Sequence, residues 1–172
     1  MQNARADALG CFIPIKNPLG LTSTAIDTDE WLPQRLTLRE AKALPVTWTA
    51  NNLLLNTGLL LIDLAAISNR ATHLPYFMVN DRIEYVAGTF TAYHQSEDWN
   101  FSRQCSARGL RLFVTRAVGV EHSGISIYSN NPAWGIETDN DSVRAFDIQI
   151  TDTTGATILF QPTVIASEAS AS

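Results

Sequence analysis

The residues of this chain that could do chemistry are few and scattered. Three histidines stand among 172 residues: His73, His94 and His122. Metal binding and hydrolysis both want a histidine at motif spacing from carboxylates or thiols. The best local cluster is His94 with Glu97 and Asp98, but the spacing is not that of HExxH, and the segment reads as a strand running into an exposed polar loop. Glu121-His122-Ser123 sets a base beside a hydroxyl, yet neighbouring side chains on an extended chain point to opposite sides. His73 stands before Leu74-Pro75 and reads as a loop residue. Cys11 and Cys105 make no CxxC or metal spacing, so two buried free thiols are favoured over one disulfide.

Two loops carry ligand-like chemistry. Asp139-Asn140-Asp141-Ser142 opens like a calcium loop, but the EF-hand pattern needs glycine at its sixth position and an acid at its twelfth. Arg144 and Ile150 stand there instead. An irregular site built from Glu137, Asp139 and Asp141 competes with a plain polar turn, and the turn is preferred. In Asn130-Asn131-Pro132-Ala133-Trp134-Gly135, the Trp134 ring could lie under the apolar face of a sugar. Asn130, Asn131, Asp139 and Asp141 would then bond its hydroxyls. Trp99-Asn100 and Tyr128 could join that platform. The competing and preferred reading has Trp134 capping the end of the domain or packing on a neighbouring subunit. GxGxxG, P-loop, GxSxG and SxxK patterns are absent. The chain therefore reads as a non-enzyme, with no catalytic residue, no cofactor and no metal expected.

The positioning elements read as mostly β. Val143 to Thr151 alternates, with Phe146, Ile148 and Ile150 on one face, and Ala156 to Phe160 returns as its partner after a turn at 152–155. Leu110 to Val118 alternates as well, Ile125 to Tyr128 resumes after a loop, and Ile83 to His94 reads as a strand bent or bulged at Gly88. Pro45 to Thr49 and Tyr76 to Val79 read as short strands. Leu53 to Ile67 fits either a hairpin about Asn56-Thr57-Gly58 or one face of a helix, with strands slightly preferred. Thr37-Leu38-Arg39-Glu40 has capping-box spacing and predicts one short helix ended by Pro45. Pro14, Pro18, Gly20 and Pro33 punctuate the segment before Arg35, which reads as irregular. The expected fold is a single-domain antiparallel β-sandwich or jelly-roll-like barrel. It divides into an irregular arm (1–34), the sandwich (35–166) and a small-residue tail (167–172), flexible alone or docked on a partner.

Composition narrows the function classes. With 45% hydrophobic residues the chain belongs to the globular class. A net charge of -5 leaves no basic stripe for phosphates, so direct nucleic-acid binding is not expected. The apolar run Leu59 to Ile62 is far short of a membrane span, and the first ten residues do not read as a signal peptide. Only 17% of residues are charged, against roughly 25% in ordinary domains. Ten of the twelve cations are Arg; Lys16 and Lys42 are the others. Arg is enriched and Lys depleted where protein meets protein, because a guanidinium is weakly hydrated, stacks and forks onto carboxylates. The expectation is a surface covered by neighbours. Candidate contacts are Phe12, Ile13, Ile15 and Trp31 in the N-terminal segment, the tail, and Arg35, Arg103 and Arg108 as interface forks in or near loops.

Pro-punctuated, nearly uncharged termini, a β core, Arg without Lys and the loose tail Ser167 to Ser172 together resemble a viral or bacteriophage structural protein in general character. The resemblance implies a capsid, decoration, neck or tail component in the virion, assembled in the host cytoplasm. Its partners would be copies of itself, other virion proteins, or both. Coat proteins that package nucleic acid often carry a basic arm. Here the N-terminus has only Arg5 and Lys16, which argues against direct genome contact.

Overall fold

The computed structural model describes residues 5–16, 20–70, 73–124, 127–129, 148–151 and 155–160. The chain is mainly β, arranged as several small sheets with three short helices among the described residues. Strand β1 (Ala8–Cys11) sits inside the largest sheet. It takes strand β2 (Leu21–Ile26) no further than a neighbouring sheet, where β2 lies between β3 (Gln34–Thr37) and, beyond β4 (Thr47–Trp48), β5 (Leu53–Leu54). In its own sheet β1 pairs antiparallel with β6 (Leu60–Ile62).

Its other neighbour comes from much later in the chain. Hairpin β7 (Asn80–Val86) and β8 (Thr89–Gln95) intervenes, then β9 (Leu112–Thr115) runs parallel to β1, with β4 antiparallel on its far side. A parallel pair needs a long crossover, and most of the chain lies between these two strands. The sheet is thus mixed rather than purely antiparallel, and no sheet among the described residues closes into a barrel. Two more hairpins follow: β10 (Glu121–Ser123) with β11 (Ile127–Ser129), and β12 (Ile148–Thr151) with β13 (Thr157–Phe160).

The segment before Arg35 is therefore not irregular. A four-residue strand fits before Pro14 and a six-residue strand between Pro18 and Pro33, and the segment carries core: Phe12 is 0% exposed and Ile26 is fully buried. Both larger sheets feed one cluster that includes Ala8, Phe12, Ile26, Leu36, Leu53 and Val114. Gly10 lets the sheet approach Leu55, since a β-carbon there would lie 3.3 Å from Leu55 Cδ2. Beside it, the Asp7 carboxylate, 1% exposed, accepts the Arg111 backbone N–H at 2.8 Å and two guanidinium bonds at 3.3 Å. The backbones of Asp7 and Arg111 also bond, as do those of Asp63 and Asp7, so one residue ties β1 to β9 and to the end of β6.

Helix α1 (Leu38–Ala43) starts as its spacing predicts. Thr37 Oγ1 accepts the Glu40 N–H, and the Glu40 carboxylate accepts the Thr37 N–H at 2.8 Å. The ambiguous stretch Leu53 to Ile67 is strand and helix in turn: β5, β6, then α2 (Leu64–Arg70), which buries Ile67. Asp63 accepts the Ala66 N–H at 3.0 Å at the start of α2. The third helix, α3 (Glu97–Ala107), replaces the polar loop expected after His94. Three helices rather than one are thus present, while Tyr76 to Val79 is extended without pairing as a strand.

The C-terminal hairpin lies where alternation placed it, and Ile150, 1% exposed, joins the core. Residues 143–147 and the tail lie outside the described residues. Cys11 and Cys105 are buried free thiols; burial raises both, Cys105 to about 12. No helix among the described residues is long and apolar enough to cross a membrane.

Two stability outcomes follow from the helix starts. Thr37→Ala leaves an orphan amide and should cost about 1 kcal/mol, read as a lower urea midpoint at unchanged slope. The Asp63 carboxyl is held below its ordinary value, first by the Ala66 N–H and also by Arg5. Its stabilisation is present above the unfolded pKa and is lost as pH falls through the folded one. Asp63→Asn should therefore be less stable than wild type at neutral pH, with the gap closing below about pH 4.

Candidate functional site

The feature that the local structure builds most deliberately is a strap and a projecting hairpin, both held by α3. Along one stripe of α3, Asn100, Gln104 and Arg108 recur every four residues, so their side chains stack on one face. Asn100 Nδ2 donates to the Met78 carbonyl at 3.0 Å. Gln104 clamps Tyr76 twice, donating to its carbonyl at 2.9 Å and accepting its N–H at 3.3 Å. Arg108 Nε donates to the His73 carbonyl at 2.9 Å. The extended strap 73–79 thus has its backbone satisfied by side chains instead of by a sheet. Phe77 stacks on Phe101 at 4.4 Å and 17°.

The opposite edge of α3 holds the base of the hairpin. Arg103 forks onto Asp27, Nε at 2.9 Å and Nη2 at 2.6 Å, and Nη2 reaches the Glu30 carbonyl at 2.7 Å. Asp29 accepts the N–H groups of Trp31 and Leu32 at 2.9 Å each. The acidic run 27–30 is therefore a fixed loop, and it aims Trp31 at the hairpin. The Arg82 guanidinium lies 4.3 Å from the Trp31 ring centre and 4.9 Å from that of Tyr93. Gln95 Nε2 bonds the Glu30 carbonyl at 2.9 Å.

Beyond that base the hairpin projects. Its two-residue turn, Ala87-Gly88, has φ of 49° and 86°, the left-handed pair that matches strand twist in tight hairpins. The strand bent at Gly88 is thus two strands, in register from Asn80↔Gln95 to Val86↔Thr89. One face carries Asp81, Ile83 and Tyr85 opposite His94, Ala92 and Phe90. That face looks outward: Ile83 is 71%, Tyr85 66% and Phe90 74% exposed. The Tyr85 and Phe90 rings pack against each other at 4.9 Å, and His94 Nδ1 lies 2.6 Å from Asp81 at the base. Leu74, Tyr76, Phe77, Met78, Val79 and Val86 are also exposed.

The structure places the contact residues expected from sequence as follows. Phe12 and Ile13 are buried inside the chain, Ile15 is half-buried, and Trp31 faces Arg82. The three arginines each make contacts within the chain. Arg35 belongs to β3, lies 4.4 Å over the Trp99 ring and donates to the Thr22 carbonyl. Arg103 lies in α3, and Arg108 caps that helix while also donating to the Gln104 carbonyl. Burial pulls the Arg35 pKa below its ordinary value, opposed by Asp98. Trp99, buried under Arg35 with its N–H on the Ser23 carbonyl, does not offer a sugar platform. Asn130, Asn131, Trp134, Asp139 and Asp141 lie outside the described residues, as does Glu137.

The histidine clusters do not assemble either. Asp98 turns to the Trp99 N–H and the Ser96 hydroxyl, not to His94. His122 Nδ1 is 3.0 Å from the Pro14 carbonyl in a cleft of about 280 Å³ shared with Asn56 and Asp98, while Glu121 and Ser123 are exposed. Among the described residues no three His, Cys, Asp or Glu side chains converge as a metal site. What the arrangement offers is a rigidly based apolar surface. Sequence pattern held its signal, Ile83 and Tyr85 alternating with Arg82 and Glu84, but alternation does not tell which face is buried.

No family model, curated protein or solved structure matches this chain.

The clamp has a direct readout. Gln104→Ala removes two bonds to Tyr76, each worth about 1 kcal/mol. Amide exchange at Tyr76 should accelerate roughly tenfold or more while the global unfolding midpoint moves little. Unchanged exchange there would show that the two Gln104 bonds do not hold the strap.

Proposed function

We propose that this chain is a structural subunit of a multi-subunit assembly, of the kind that builds virions: a capsid, decoration, neck or tail component acting through protein–protein interfaces. One observation carries the reading. Between Leu74 and Phe90, nine large apolar side chains stand in water on a backbone that α3 and the 27–31 loop hold in place. Monomeric soluble proteins rarely expose contiguous apolar patches beyond a few hundred Å². Ordering a strap and a hairpin costs conformational entropy, and doing so to display aromatics to solvent is favourable only if something covers them.

The composition supports the same reading by a different route than expected. Arg35, Arg103 and Arg111 are engaged by the chain's own groups, which leaves apolar surface the larger part of what partners would meet. The two larger sheets fit an open sandwich in which each contributes one layer to the common core. Hairpins added to such a core are a ready means of reaching a neighbour.

Sedimentation velocity over a wide concentration range tests this function. The weight-average mass should rise well above 18.9 kDa as concentration increases. A single 18.9 kDa species at the highest attainable concentration would overturn the assembly role.

A further inference from the structure

We infer that residues 73–95, the strap and the β7–β8 hairpin together, form one flap that undocks from α3 as a unit while the rest of the fold stays closed. The inference does not depend on the assembly reading, because it concerns a motion within a single chain.

Burial separates this segment from the body. Of residues 73–95 only Gln95 is buried, and neither core cluster takes a side chain from them. Phe77 stacks on Phe101, which belongs to the core, but is itself 49% exposed. The apolar burial that holds the body together is therefore intact with or without the flap. A segment with so few buried contacts opens at a lower free energy than the core it leans on.

The ties of the flap all lead to α3. Among the described residues the strap bonds Asn100 through Met78, Gln104 through Tyr76 and Arg108 through His73. The hairpin meets the 27–31 loop, where Gln95 bonds the Glu30 carbonyl and Arg82 and Tyr93 face the Trp31 ring. Arg103 of α3 grips that loop in turn. The other polar contacts of the hairpin are internal: Arg82 with Glu84, Asp81 with His94 and Asn80 with Gln95. α3 itself is anchored inward. Ser102 Oγ accepts the Leu55 N–H, Trp99 donates to the Ser23 carbonyl, and Phe101 and Cys105 lie in the core. The helix belongs to the core, and the flap is seated on it.

The two halves of the flap move together because neither is stable alone. A two-stranded hairpin is marginal in water without a third strand or a packed face. The strap has no ladder of its own, since side chains of α3 satisfy its backbone. Strap runs into β7 without a break at Asn80, so releasing either half frees an end of the other. Undocking bares Phe101 and takes from Asn100, Gln104 and Arg108 the main-chain partners they now hold.

Native-state hydrogen exchange on the full-length chain tests the inference, with Gln104→Ala and Arg82→Ala beside wild type. Gln104→Ala should speed exchange at Tyr76 and at the β7–β8 ladder amides by one common factor, roughly tenfold. The ladder amides of β1 and β9 should keep their wild-type rates. Arg82→Ala, at the foot of the hairpin, should also speed exchange at Tyr76, although Arg82 bonds no strap residue. Wild-type exchange at Tyr76 in either variant would overturn the inference. Acceleration at Tyr76 in Gln104→Ala with the hairpin unmoved would do the same, since strap and hairpin then open separately. Equal acceleration along β1 and β9 would count against it as well, because the segment would then open only with the whole fold.

Discussion

The fork of Arg103 on Asp27 is the contact on which the loop at the foot of the projecting hairpin depends. Both side chains are mostly withdrawn from water, at 18% and 26% exposure, and the geometry is bidentate. Such a pair fixes direction as well as distance, which a lysine cannot do. Through it α3 grips the 27–31 loop, the loop grips Trp31, and Trp31 faces the Arg82 guanidinium at the foot of the hairpin. Gln95, donating to the Glu30 carbonyl, adds a second tie between the same loop and the hairpin.

The arginine bias takes on a different meaning in this light. Arg35 on Trp99, Arg82 beside Trp31 and Tyr93, Arg103 on Asp27 and Arg111 on Asp7 all use a planar cation, stacked or forked. Lysine would keep the charge at these positions but lose the planar stacking and the two-pronged bond, because an ammonium is a point charge. The composition thus reports on how a small-sheet protein braces its loops. Sheets of two to four strands have many ends, and arginine reaches far enough to tie them.

How much of this was legible depended on whether a residue's role was local. The capping box at Thr37 and Glu40 and the C-terminal alternation ending in Ile150 were readable, since each is decided within a few residues. Helix α3 was not. Its sequence EDWNFSRQCSA spends Asn100, Ser102, Arg103 and Gln104 on bonds to other segments, so the apolar period that marks a helix is broken. The turn at Ala87 was hidden because alanine is a poor choice for positive φ, where Asn or Gly is the usual sign. The candidate surface was hidden for a further reason. An alternating strand shows that two faces differ, and only the body behind it decides which one is left outside.

The strap along α3 also sets a ruler. Four residues of helix advance about 6 Å, and two residues of extended chain about 6.6 Å. Asn100 to Gln104 against Met78 to Tyr76 is therefore a near match, one rung to the next, with the two chains running in opposite directions. At the last rung Arg108 takes the carbonyl three residues along instead of two, so the strap outruns the helix there by about 4 Å, a distance for the longer arginine side chain to span. Helix length and strap length are thereby locked together, so evolution can lengthen either one only by changing the other in step.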